Sequence, residues 1–376
     1  MPKHKRKYIP QTVLLPLWIL AGGRCEFDGC NKPLLHDVLT KTRCNLADVA
    51  HIIASSPNGP RGDDLLSDEK SIDLSNLMLL CKDHHKMVDE YPDIYTVEVL
   101  QNMKKTHEET IEYLTSLKNK GVTHIVVYTA DIGNNIPRIN FEHTICAVLP
   151  EYYPKNNIPI ELSCINNAYK DYEDKFWEYE REQLNRKFES NIKKLVVCGE
   201  IKHISVFALA PQPLLIELGR LLSDINFIEI YQKHREPNTW KWLENNEPID
   251  FILEEPKEIF DKVALNLSLS GVISNDRITS VLGDETSIWT ISVSNPNNDI
   301  IKTREQLSSF RIKMREVYNK IKSVHGQNNK IHVFPACPVS AAIEIGRVWM
   351  PKADLPLVLY DQNNIHKKFV HAFDID

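Results

Sequence analysis

The chain has 376 residues, 42% of them hydrophobic and 26% charged, enough apolar material for two or three globular cores. Forty-five basic residues against 51 acidic ones leave a formal charge of −6, so the broad basic footprint of a constitutive nucleic-acid binder is missing, and only Lys3, Lys5, Arg6 and Lys7 form a basic cluster. The apolar stretch Val13–Ala21 is too short for a membrane span, and eight scattered cysteines read as thiols or metal ligands, so a cytoplasmic chain without a membrane partner is expected.

In chain order, residues 1 to about 120 are rich in Cys and His and close with a helix predicted over Glu98–Leu117, where Val99, Leu100, Met103, Ile111 and Leu114 recur at roughly helical spacing. Asn119, Lys120 and Gly121 predict a helix stop and a domain boundary. A strand at His124–Tyr128 follows, and the Pro- and Asn-rich stretch 134–157 reads as loop with at least one short strand. Residues 121–157 are therefore expected to be a linker with a first strand.

Beyond residue 158 the pattern alternates. Strands are predicted at Ile158–Ile165, His203–Leu209, Phe227–Gln232, Lys262–Leu269, Lys330–Phe334 and Leu355–Asp361. Helices are predicted at Tyr169–Ser190, Leu214–Leu222, Gln306–Ser323 and Ser340–Val348. Such alternation implies mainly parallel sheets covered by helices. The region is also duplicated. Residues 204–220 (ISVFALAPQPLLIELGR) lie over 331–347 (IHVFPACPVSAAIEIGR) without a gap. Shared Ile and Val follow from strand composition alone. A shared Pro, Glu, Gly and Arg at one offset do not, and they point to two copies of one unit.

Two metal half-sites stand in the first region, Cys25 with Cys30 and Cys81 with His84. Three thiolates and an imidazole suit tetrahedral structural Zn2+, which would supply much of the folding energy of so small a domain. Cys44 and His36 are alternative ligands. Between the half-sites lie Asp48, Ala50 and His51, then Asn76, and His85 directly follows His84. This His–Asn–His order inside zinc knuckles resembles the HNH endonucleases over roughly residues 20–90. The resemblance implies a ββα-metal core in which His51 is the general base, Asn76 its orienting partner and His85 a ligand of a catalytic Mg2+. Imidazole suits proton abstraction near neutral pH, and an amide or a backbone carbonyl can impose its tautomer. Many members place an acid or His directly before the base, where this chain has Ala50. Asp48 is the nearest carboxylate and the candidate second Mg2+ ligand, although strand alternation puts it on the face opposite His51 unless a twist or bulge intervenes.

The duplicated region, about 158–376, resembles the SAVED domain, a fusion of two CARF-like Rossmann units, here about 158–255 and 256–376. Val206, Phe207, Pro211, Pro213, Gly219 and Arg220 carry the likeness in the first unit, with Tyr231, Gln232, His234, Arg235, Trp240 and Trp242 after them. Phe334, Pro338, Ser340, Gly346, Arg347 and Lys352 carry it in the second. SAVED domains sense cyclic oligonucleotides, and fused to an HNH nuclease they act in CBASS anti-phage defence. In open α/β sheets ligands settle beyond the carboxyl ends of the strands. Pro211, Gln212, Tyr231, Gln232, His234, Arg235, Trp240, Trp242, Pro338, Ser340 and Lys352 are the candidate ligand-binding residues. The helix N-termini after the strand-to-helix loops Phe207–Pro211 and Phe334–Pro338 would face phosphates, and the tryptophans would stack on bases. No Gly-x-Gly-x-x-Gly fingerprint is present, which disfavours NAD or FAD. Arg220 and Arg347, one helix away from the loops, are expected to be structural.

The expectation is thus a zinc-braced α+β HNH domain over 1–120 joined to an α/β sensor. Together they form a Mg2+-dependent nuclease for double-stranded DNA with little sequence preference. A cyclic di- or trinucleotide would switch it on through homo-oligomerisation, from dimer to tetramer. Two rivals remain at this stage. One is a constitutive restriction-type HNH enzyme, and the other is a non-catalytic zinc-binding adaptor with the same sensor.

Overall fold

A computed structural model describes residues 8–36, 40, 42–115, 121–164, 167–244, 247–363, 365 and 367–376. The chain divides into two compact units, Met1–Asn119 and Lys120–Asp376. The basic cluster Lys3, Lys5, Arg6 and Lys7 lies outside the described residues, as do Leu117 of the predicted helix end, Asn119 and Lys120 of the predicted stop, and Ile165. No helix among the described residues is long and apolar enough to cross a membrane.

The first unit holds α1 (Gln11–Leu20), β1 (Ala47–His51), the single turn α2 (Leu66–Glu69), β2 (Leu77–Cys81), α3 (Lys82–Glu90) and α4 (Val97–Thr115). Strands β1 and β2 pair antiparallel, from Ala47 opposite Cys81 to His51 opposite Leu77, with no shift of register. Strand β2 is buried along its whole length and forms the centre of a small core with Leu17, Leu34, Ile52, Val88 and Leu100. Helix α3 starts on the residue after β2 ends. This corner carries Cys81, His84 and His85 past the end of the hairpin together.

The second unit begins with β3 (Val122–Thr129), α5 (Phe141–Val148), β4 (Tyr153–Pro154), β5 (Ile160–Glu161), α6 (Asp174–Phe188), α7 (Lys194–Val197), β6 (Ile204–Leu209), α8 (Gln212–Leu222) and β7 (Ile228–Ile230). It continues with β8 (Ile252–Glu254), β9 (Lys262–Ser268), α9 (Asn275–Leu282), β10 (Thr286–Ser292), α10 (Arg304–His325), β11 (Ile331–Ala336), α11 (Val339–Val348), β12 (Leu357–Asn363) and β13 (Lys368–Ile375). The first sheet runs β4-β3-β6-β7 with β5 also on β3, every pair parallel. The second runs β13-β12-β11-β9-β10-β8, parallel except for its two antiparallel edge strands. One shared core takes a face of each sheet together with α6, α8, α10 and α11. Smaller apolar clusters cover the opposite faces.

Residues 121–157 hold the expected first strand and more than a linker around it. β3 pairs with β4, β5 and β6, and its Val126 and Tyr128 are fully buried in the shared core. The stretch also contains α5, capped by the Asn140 side chain on Glu142 N at 2.8 Å. Its density of Pro and Asn hid that helix from a periodicity reading. The predicted strand Ile158–Ile165 contracts to β5, and the predicted helix Tyr169–Ser190 starts at Asp174. β8, α9, β10 and β13 have no counterpart among the predicted elements.

The duplication is physical. Helices α8 and α11 cross with almost no gap. A Cβ on Gly219 would stand 1.9 Å from Ile343 O, and one on Gly346 would stand 1.9 Å from Ile216 O. A glycine inside a helix costs about 1 kcal/mol relative to alanine, so its presence at both crossing points reflects backbone contact that no side chain permits. On the sheets, Phe207 stacks on Tyr231 at 4.5 Å and 15°, and Phe334 stacks on Tyr360 at 4.5 Å and 14°. Each Phe then meets a third ring edge-on, Trp240 in one repeat and Phe369 in the other.

Candidate functional site

In the first unit, one ligand atom from each of Cys25, Cys30, Cys81 and His84 lies within 4.8 Å of all the others. His84 Nδ1 is 3.2 Å from Cys81 Sγ and 3.6 Å from Cys25 Sγ. Bonds of about 2.0–2.3 Å around one tetrahedral ion place neighbouring ligand atoms at about this separation. The His84 ring lies flat on Phe27, 4.1 Å between centroids and 4° from parallel, which fixes its orientation. The alternatives Cys44 and His36 are outside this group; the Cys44 thiol faces Thr42 O at 3.6 Å.

Beside it stands a second constellation. His85 Nδ1 lies 3.1 Å from Asp48 Oδ2, and His85 Nε2 lies 3.5 Å from Asp89 Oδ2. Both imidazole nitrogens therefore face carboxylates, and all three side chains are partly exposed. Asp89 is held in turn by Arg61, whose guanidinium donates to Asp89 Oδ1 at 2.9 Å and to Ile52 O, Val88 O and His51 O. The spacing of Asp48 from His85 is close to the roughly 3 Å between adjacent corners of an octahedron with bonds of about 2.1 Å, and the oxygen and imidazole donors suit a divalent cation. Asp89 on the far nitrogen matches the outer carboxylate that orients a ligating histidine. The site residues present therefore fit such an ion. The sequence reading missed Asp89 and Arg61, although Asp89 follows His85 by four residues and so shares its helix face.

His51 is buried at the end of β1, its Nε2 3.0 Å from Ser71 O. A carbonyl only accepts, so a neutral ring donates from Nε2 and carries its lone pair on Nδ1. The tautomer is thus set by a backbone carbonyl and not by Asn76. The Asn76 amide is spent elsewhere. Its Oδ1 accepts from Ile53 N at 2.8 Å, while its Nδ2 donates to Ile53 O at 2.9 Å and Lys70 O at 3.1 Å. Asn76 clamps the chain that leaves β1 to the segment entering β2. The unbroken register also supplies no bulge that would turn Asp48 and His51 to one face. Asp48 meets His85 instead. The side chains of His51, Asn76 and His85 thus bond to three different sets of partners, and Arg61 touches both the His51 carbonyl and Asp89.

In the second unit, several candidate ligand residues join the two repeats. Gln232 Oε1 accepts from Ser340 N at 3.0 Å and Ser340 Oγ at 2.8 Å, and Gln212 Oε1 accepts from Cys337 N at 3.0 Å. Neither helix start is a ready phosphate cradle. The N–H of Ser340 at the start of α11 is occupied by Gln232, and Pro213 in the first turn of α8 has none. Tyr231 and Trp240 are buried and packed on Phe207, so their ring faces belong to the core. Pro211 and Pro338 are buried as well. His234 is fully buried with both ring nitrogens unpartnered, edge-on to Trp242 at 6.1 Å. Burial pushes His234 below its usual value, so it stays neutral. Gln212 and Trp242 are partly exposed, and Arg235 and Lys352 are exposed.

The two repeats differ at this end. Asp361 takes the place of Gln232, and Pro213 that of Ser340, so Asp361 meets neither an N–H nor a hydroxyl on the opposing helix. Burial, and then the neighbouring Asp171, push its carboxyl up to about 7. Arg220 and Arg347 are structural, as expected: each pairs with the glutamate three residues earlier, Glu217 or Glu344.

Comparison with known proteins separates the same two regions. Residues 181–375 match the family model of SAVED, the SMODS-associated and fused to various effectors sensor domain, and residues 25–91 match a model of HNH endonucleases. No curated protein matches the chain. Among solved structures, a Cap4 SAVED/CARF-domain containing receptor of Acinetobacter baumannii with the cyclic trinucleotide 2'3'3'-cAAA is 12% identical with a TM-score of 0.43, over 78% of this chain and 61% of that one. The same receptor with 3'3'3'-cAAA is 12% identical with a TM-score of 0.39, over 77% and 61%. A Moraxella osloensis Cap4 receptor is 10% identical with a TM-score of 0.39, over 78% and 60%. The chain therefore spans less than two thirds of these receptors, and the likeness is loose.

Proposed function

Starting from the chain's membership of the SAVED sensor family, with an HNH endonuclease domain at its N-terminus, we propose that it is a metal-dependent endonuclease for double-stranded DNA. A cyclic di- or trinucleotide bound by the sensor unit switches it on, as a CBASS-type effector in anti-phage defence. The observation that carries this reading is the partly exposed Asp48–His85 pair beside the four-ligand cluster of Cys25, Cys30, Cys81 and His84. The cluster would hold structural Zn2+, and Asp48 and His85 would hold the catalytic cation, most simply Mg2+.

When bound, that cation stabilises the charge that develops on the phosphate and the leaving oxygen. His51, held in one tautomer by Ser71 O, takes the proton of the attacking water on Nδ1. The water oxygen bonds to phosphorus as the bond to the leaving oxygen breaks. Asp89 keeps the His85 ring in orientation through Nε2, and Arg61 fixes Asp89. Asn76 acts as a positioning residue by holding the backbone next to His51. Cutting has little sequence preference, because no separate base-reading module is apparent among the described residues. The net charge of −6 fits a chain that binds DNA weakly until ligand-driven homo-oligomerisation brings several nuclease domains together.

The test is plasmid cleavage by purified protein and Mg2+, with and without a panel of cyclic di- and trinucleotides. Ligand-dependent cutting, lost by a factor of about 100 or more in His51→Ala, is expected. Full activity without any cyclic nucleotide supports a constitutive restriction-type enzyme. Ligand-driven assembly without cleavage supports an adaptor. Either result overturns the reading.

A further inference from the structure

A cavity of about 660 Å³ opens at the carboxyl ends of β3 and β5. Its described wall residues come from 127–180 of the first repeat, and neither Gln212, Gln232 nor Ser340 is among them. Its volume suits a small organic ligand, and Ile136, Pro137 and Ile139 give it an apolar side.

Among the buried side-chain polar atoms of its described wall, one lacks a partner. Lys170 Nζ donates to Asp131 Oδ2 at 2.7 Å, and Thr129 N donates to Ser163 Oγ at 2.7 Å. Glu180 is 2% exposed. Its Oε1 accepts from Asn167 Nδ2 at 2.7 Å, while its Oε2 is buried and has no partner. Leaving a buried oxygen without a donor is unfavourable. A donor arriving from the cavity removes that cost, and Asn167 fixes which oxygen it meets.

We propose that this cavity takes one aminated nucleobase, whose exocyclic amino group donates to Glu180 Oε2 while the ring lies against the apolar side. Glu180 is then a specificity-determining residue. The proposal rests on the sensor reading above and states which feature of a nucleotide the first repeat reads.

The experiment is calorimetric titration of the full-length protein at pH 8 with three nucleosides that differ at one position. They are adenosine with its amino group, purine riboside with hydrogen there, and inosine with a carbonyl. Adenosine is expected to bind saturably at millimolar concentration or below, and purine riboside roughly tenfold or more weaker. In Glu180→Gln the Asn167 donor keeps the amide oxygen in the Oε1 place, so the new NH2 group faces the ligand. Adenosine should weaken about tenfold and inosine should gain. Equal affinity for adenosine and purine riboside in the unaltered protein overturns the proposal, as does the absence of saturable adenosine binding. The first comparison needs no variant and stands even if Glu180→Gln fails to fold. If cyclic nucleotides still trigger cleavage while adenosine does not bind, only the pocket is lost. If adenosine binds and no cyclic nucleotide triggers cleavage, the switch reading falls instead.

Discussion

The two repeats of the second unit share their packing and differ in their polar contacts. Gly219 and Gly346 meet the opposing backbone at the same distance, and the Phe–Tyr stacks on the two sheets agree in spacing and tilt. The glutamates between them do not agree. Glu217 accepts from Arg181, Asn185 and Arg220, and although burial pushes its carboxyl up, Arg220 and Arg181 hold it below the usual range. Glu344 has Arg347 on Oε1 and nothing on Oε2, and burial pushes it above that range. Where backbones touch, a substitution has nowhere to go. A polar contact can instead be traded for another donor or an altered protonation state, and the two glutamates differ in that way.

Breaking the shared part should have the largest effect. Gly219→Ala and Gly346→Ala should each cost more than about 3 kcal/mol by overpacking the helix crossing, read as a large fall in the melting temperature of the second unit. Gly271, where an added Cβ meets nothing within 4 Å, is the control and should tolerate alanine almost unchanged. A Gly219→Ala protein that melts like the parent would mean that the helices are not in contact. The glutamates should give a smaller and unequal effect. Glu217→Gln should cost about 1–3 kcal/mol at neutral pH by weakening charged hydrogen bonds. Glu344→Gln should cost less or stabilise, because a poorly partnered buried carboxylate is removed. Equal shifts in urea midpoint for the pair would contradict the contrast drawn between them.

The smallest effect concerns Asp361. Its carboxyl sits at about 7 in the folded chain, against about 4 in an unfolded one. The folded state therefore holds the proton more tightly, and stability is lost as pH rises from about 4 through 7. Asp361→Asn should raise the melting temperature by a few degrees at pH 8 and by almost nothing at pH 4. A gain that does not change with pH would show that ionisation is not its cause.

Much of this architecture was legible in the residues. Cys25, Cys30, Cys81 and His84 converge as their spacing implied, and the repeat offset located both glycines of the helix crossing. The misreadings share one cause. Periodicity reports which face of a segment is apolar and says nothing about its partner. Residues 121–157 thus read as a linker with one first strand although they also hold α5 and β4 and β3 lies inside a sheet, and Trp240, Tyr231 and Gln232 read as ligand contacts although they pack the core or join the repeats.

The chain's own order of residues determined its two-part organisation, the Cys/His cluster and the duplicated unit, because each depends on residue type and spacing. Only tertiary structure decided that Ser71 rather than Asn76 sets the His51 tautomer, that Asp89 and Arg61 support His85, and that Glu180 keeps an unmet oxygen in a cavity. Those outcomes depend on which backbone carbonyl or side chain lies within about 3 Å of a given atom. Contacts between distant segments settle that, and no local pattern encodes it.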